Sequence, residues 1–129
     1  MNETLGIRKE LLVGYDEALA RVAEALKSEG FGVLTEIDMR DTLKKKLGVD
    51  FRRYKILGAC NPPLAHQALQ THLEVGLMLP CNIIVYEEDG RAVVTAVDPL
   101  QTLAAGTPAL QEIARVVREK LTRVLDHLA

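Results

Sequence analysis

Glu88-Asp89-Gly90 stands between two apolar, β-branched runs at 81–86 and 91–97. An Asp-Gly pair in that setting is a strong hairpin signal, because both residues accept the positive φ angles of a two-residue turn. A tight turn of this kind joins antiparallel strands only. The later part of the sheet is therefore antiparallel, and the rest of the chain must pack around that pair.

The other elements follow from local pattern. Residues 5–13 alternate, with Ile7, Lys9, Leu11 and Val13 on one face, as in a half-buried or edge strand. Gly14 opens a helix with Asp16 and Glu17 in its first turn, where carboxylates suit the helix dipole. Leu19, Val22, Ala23 and Leu26 form its apolar stripe, and Gly30 ends it. Residues 31–37 read as a second strand. Asp38 caps a short helix through Leu47, closed by Gly48, with Lys44, Lys45 and Lys46 at its C-terminal end. Residues 54–60 read as a third strand. Asn61 caps a further helix with Pro62 at its first position, running to about His72, with Gly76 marking its end. Asp98-Pro99 stops the last strand. Thr107-Pro108 starts a long terminal helix whose stripe is Leu110, Ile113, Val117, Leu121, Val124 and Leu128. Strands with helices packed across one side give a two-layer α+β sandwich.

Length and composition set the class. A chain of 129 residues makes one domain, here spanning 1–129, and its 48% hydrophobic content excludes a disordered chain. With no Trp, three Tyr and two Phe, the core must be aliphatic. A net charge of -2 argues against a dedicated nucleic-acid binder. No long apolar run follows the first four residues, so no secretory signal is expected. The most apolar window, 75–86, is broken by Pro80 and Asn82 and falls short of the ~20 residues of a membrane span. Two cysteines in such a chain are expected as free thiols in a cytoplasmic protein.

Three segments carry a resemblance. They are Tyr54-Lys55-Ile56-Leu57-Gly58-Ala59-Cys60-Asn61-Pro62, Leu79-Pro80-Cys81-Asn82 and Val97-Asp98-Pro99, with Gly30-Phe31-Gly32-Val33 in support. Together they resemble the bacterial and archaeal family called Domain of Unknown Function 302, over about the whole chain. The resemblance implies a TATA-binding-protein-like α+β fold, with a curved antiparallel sheet of about five strands carrying a long C-terminal helix. It also implies dimers. It implies no activity and no catalytic residue, and likeness to a DNA-binding fold is no evidence of DNA binding. With strands three and four as antiparallel neighbours, Cys60 and Cys81 would share one edge of the sheet.

Those two cysteines are the centre of the candidate chemistry. Cys60 precedes a helix N-terminus, where free N–H groups and the dipole favour a thiolate. Cys81 would be its partner, and Asn61 and Asn82 would supply polar contacts. Asn82 is the less ordinary of the two, because Asn is disfavoured in a strand and suggests a pocket or a bulge. His66, one turn into the helix, is a candidate base, and Asp98 a candidate ligand orienter. The bland readings are buried small hydrophobes for the cysteines, a surface histidine, a helix cap and a strand-ending turn. No Cys-x-x-Cys, phosphate loop or zinc-protease helix is present. A metal held by Cys60, Cys81 and His66 lacks an obvious fourth ligand, since nothing in the spacing of Asp98 or Glu74 requires that either supply it, so no metal and no cofactor is assigned. The basic run through Arg40, Lys44, Lys45, Lys46, Arg52, Arg53 and Lys55 is read as a solvated face, with a weak phosphate or nucleic-acid role as the lesser reading. The leading expectation is a homodimer that binds a small molecule or ion at the Cys60/Cys81 edge. The alternative is a catalytically inert protein-interaction module.

Overall fold

The computed structural model describes residues 4–103 and 107–128; residues 1–3, where the signal-peptide expectation begins, lie outside the described residues. Five strands form one sheet: β1 Gly6–Leu11, β2 Gly32–Asp38, β3 Tyr54–Cys60, β4 Cys81–Glu88 and β5 Arg91–Val97. Their spatial order is β1-β5-β4-β3-β2, and every neighbouring pair is antiparallel. Among the described residues four α-helices accompany them: α1 Tyr15–Ser28, α2 Met39–Leu47, α3 Pro62–Thr71 and α4 Pro108–Asp126. The α+β architecture with its C-terminal helix is the one expected.

Local chemistry accounts for the element ends. Asp89 and Gly90 both adopt positive φ (52° and 77°), as a type I′ hairpin requires. Asp38 accepts from the Asp41 N–H at one end of α2, and Gly48 turns left-handed at the other. Thr107 caps α4 by accepting from the Leu110 N–H. The six expected stripe residues are all buried, five of them on α4 and Leu128 just past its end.

Alternation divides the sheet into two faces. Leu57, Ala59, Cys81, Ile83, Val85, Val94 and Ala96 are buried in one core with residues of α1, α3 and α4. Tyr54, Ile56, Ile84 and Tyr86 lie on the opposite face and are half-buried.

Three expectations are corrected. The buried stripe of α1 is Tyr15, Ala18, Val22, Ala25 and Leu26, while Ala23 is exposed and Leu19 only partly covered. Small residues at 18 and 25 let the helix approach the sheet closely, so volume is a poor guide to which face is buried there. β2 begins at Gly32 and is exposed along its whole length; Phe31 is buried just before it. Its position at the sheet edge explains this, and the register slip between Val33 and Thr35 is a bulge that blunts the edge. Finally, α3 stops at Thr71, and Gly76 falls inside a short 3₁₀ helix, Leu73–Met78, rather than ending α3.

Gly58 is fixed by its neighbours. A Cβ built there would meet the Thr35 Oγ1 and come within 2.7 Å of the Pro80 ring. Gly58→Ala should cost about 1–3 kcal/mol, as overpacked sites do. Urea unfolding of the variant checks this; an unchanged midpoint would mean that Pro80 does not lie over β3.

Candidate functional site

The β3–β4 ladder brings the two cysteines to one end of the sheet. Ala59 pairs with Cys81, so Cys60 and Cys81 sit on neighbouring strands one step out of register. Both are free thiols, Cys81 buried and Cys60 half-buried. They line one apolar cavity of about 20 Å³, walled also by Phe31, Leu64, Leu79, Leu103, Ile113 and Val117. That is room for about one water-sized body. Burial pushes the Cys81 thiol up to about 11, with the nearby Cys60 adding to the effect. Cys81 is therefore a neutral thiol at ordinary pH.

The start of α3 differs from the expectation in a way that matters. A thiolate at Cys60 was to be stabilised by free N–H groups there. Pro62 and Pro63 carry no N–H, the Leu64 N–H goes to Asn61 Oδ1 (3.4 Å), and the Ala65 N–H goes to the Asn61 carbonyl (2.9 Å). The helix thus has no spare donor in its first turn to offer Cys60. Asn61 is committed on both sides, since its Nδ2 also donates to the Glu29 carbonyl at 3.2 Å. It joins the end of α1 to the start of α3. That tie, to a residue 32 positions away, has no sequence signal.

The remaining candidates do not line the cavity. His66 is exposed on α3. Asn82 is exposed on β4, opposite Gly58, and the bulge that an Asn in a strand suggested lies instead in β2. Asp98 accepts from the Leu100 N–H (3.0 Å) and faces Arg118, whose Nε lies 3.2 Å from Oδ1 but outside hydrogen-bonding angle, an ionic contact only. Among the described residues no group of three or more His, Cys, Asp or Glu side chains comes together as a metal site. Much of the basic run is ion-paired within the chain: Lys44 with Asp50, Lys45 with Asp41, Arg53 with Asp16 and Lys55 with Glu36. Among the described residues no helix is long and apolar enough to cross a membrane.

Sequence reasoning missed the walls of this cavity. Ile113 and Val117 are visible as core positions of α4, and Phe31 as an aromatic beside Gly30. Nothing in their spacing says that they converge on Cys60.

Comparison with known proteins agrees with this architecture. Residues 7–128 match a family model described as a domain of unknown function, DUF302. A crystal structure of an uncharacterized conserved DUF302 protein from Bacillus stearothermophilus superposes with a TM-score of 0.90. It shares 34% sequence identity, over 98% of this chain and 100% of the other. No curated protein matches.

Proposed function

This chain belongs to the DUF302 family, and from that premise we propose a cytoplasmic homodimer that binds a small neutral molecule or a soft ion in the cavity beside Cys60. The observation carrying this reading is that two thiols from separate strands line the same apolar space. Walls of hydrocarbon and sulfur favour neutral or soft ligands, because an ion that needs hydration or oxygen ligands would be stripped of both. Cys60 is the accessible sulfur and the one a ligand meets first. Two free thiols suit a reducing compartment. The half-buried row of Ile56 and Ile84 on the face opposite the core, continued by Ile37 at the edge, supports a second copy as cover.

Paired thiol reagents test the cavity. Neutral methyl methanethiosulfonate transfers a methylthio group to a cysteine sulfur and releases methanesulfinate; its sulfonatoethyl analogue does the same chemistry with a charged tail. The neutral reagent should outpace the charged one at Cys60 by at least about tenfold more in folded than in urea-unfolded protein, since keeping a charge out of hydrocarbon exceeds 1.4 kcal/mol. Equal ratios in the two states would end the reading.

The inert interaction module is a second reading with its own support. β2 is exposed throughout and α2 buries no residue, an unusual amount of ordered surface without cover. Equal reagent ratios would favour it.

A further inference from the structure

We propose that the cavity beside Cys60 is a site for one small nonpolar molecule of the dioxygen class, uncharged and carrying no group that needs a hydrogen bond. The inference rests on the cavity being the ligand site, and it narrows the ligand from any small neutral molecule or soft ion to a nonpolar one.

The walls suit such a guest and offer a polar one nothing. Phe31, Leu64, Leu79, Ile113 and Val117 present hydrocarbon, and the lining is almost wholly apolar. A buried water needs about two to four polar partners. Cysteine thiols are weak donors and weak acceptors. Among the described residues, the buried side-chain nitrogen or oxygen without a hydrogen-bond partner is Arg118 Nε, which is not part of this lining. No side-chain atom in the cavity therefore calls for water. A nonpolar guest displaces nothing held there by hydrogen bonds, whereas a polar guest would leave its own groups unpaired.

The rim is as poor in donors as the interior. Cys60, Asn61, Leu64, Ala65, Leu79 and Pro80 are the half-buried members of the lining, so solvent meets the cavity where β3 passes into α3. Pro62, Pro63 and Pro80 have no N–H. The N–H groups of Leu64 and Ala65 and both ends of the Asn61 amide are already engaged. A charged or polar molecule finds nothing free at this entrance to replace its water, while a nonpolar one gains by leaving water. Volume sets the upper limit: about 20 Å³ admits one body little larger than water. A diatomic molecule fits that space and an aromatic ring does not.

Dioxygen itself is the probe, because it is paramagnetic and shortens the relaxation of any methyl group it rests against. Reduced full-length protein, with a metal chelator present to protect the thiols, is studied by methyl NMR under dioxygen pressure, with argon at equal pressure as the blank. The enhancement at Leu64, Leu79 and Ile113 should exceed, severalfold, that at the exposed Leu12 and Leu73 and at the close-packed Val22 and Leu121. Formamide, polar and of comparable size, should shift the cavity methyls no more than the exposed ones. Ala68→Val and Val117→Ile add carbon to the cavity from α3 and α4, and each should abolish the excess enhancement. Two variants are used because an overpacked wall can disturb folding, and thermal unfolding identifies a folded one. Enhancement no greater than at the exposed or close-packed methyls, an excess that survives in a folded filled variant, or selective binding of formamide would overturn the proposal. The thiosulfonate comparison keeps the two ideas apart. If Cys60 prefers the neutral reagent while dioxygen shows no excess at the cavity, the cavity reading stands and the nonpolar guest falls. Equal reagent ratios end the cavity reading, and this proposal with it.

Discussion

Phe31→Ala is expected to destabilise the protein by about 3–5 kcal/mol, the range for removing a buried aromatic ring. Phe31 is 3% exposed and lies where α1 gives way to β2. Its N–H donates to the Leu26 carbonyl at 2.9 Å, which fixes the backbone while the ring walls the thiol cavity. The loss has two parts: the ring no longer leaves water, and the space it filled opens onto Cys60 and Cys81. Partial collapse is hard here because the facing residues belong to β3, α3 and α4, which are each held by other packing. Chemical unfolding should show a lower midpoint with little change in slope, and thermal unfolding a drop of roughly 10 °C or more. Bulky thiol reagents should also reach Cys60 faster in the folded variant. A loss under about 1 kcal/mol would mean that the ring is not packed as described.

Elements whose ends are written in local chemistry were legible. Asp89-Gly90, Asp38 with Gly48, Asn61-Pro62 and Thr107-Pro108 each act within a few residues of themselves, and the structure uses each as a turn or cap. What depends on distant neighbours was not legible. The alternation in β2 looks like that of a half-buried strand, but the sheet order leaves it at an edge and exposed. Ala18 and Ala25 are buried on α1 because of how closely that helix approaches the sheet, which periodicity alone does not report. The sulfur pair was half legible: two strand ends carrying cysteine are visible, and their meeting followed once antiparallel pairing was supplied. The cavity between them was not, since its walls come from five separated stretches of chain. The absence of helix donors at Cys60 could have been read directly. Pro62 is a good helix starter, but with Pro63 it removes two successive N–H donors from the first turn.

Raising the pH from about 9 to about 11 should remove up to about 2.7 kcal/mol of stability through Cys81 alone. Its thiol, ordinarily near 9.0, is pushed up to about 11 by burial and by the adjacent Cys60. Below pH 9 the folded and unfolded chains both hold this proton, and the group contributes no pH dependence. Between 9 and 11 the unfolded chain releases it while the folded chain retains it, so the unfolded state gains and stability falls. Above 11 both have released it and the slope vanishes. Tyr15, which burial pushes up to about 12 from an ordinary 10.0, acts with the same sign over a higher interval. Cys81→Ala separates the two, because it should flatten the lower part of the curve and leave the upper part. Urea midpoints measured for both proteins from pH 8 to 11 decide the matter; curves of identical shape would show that Cys81 titrates as an exposed thiol. The same physics assigns the two sulfurs different chemistry. A thiol that keeps its proton until pH 11 is a poor nucleophile near neutrality, so rapid alkylation at neutral pH should fall on Cys60, and Cys81 should react only when the fold opens.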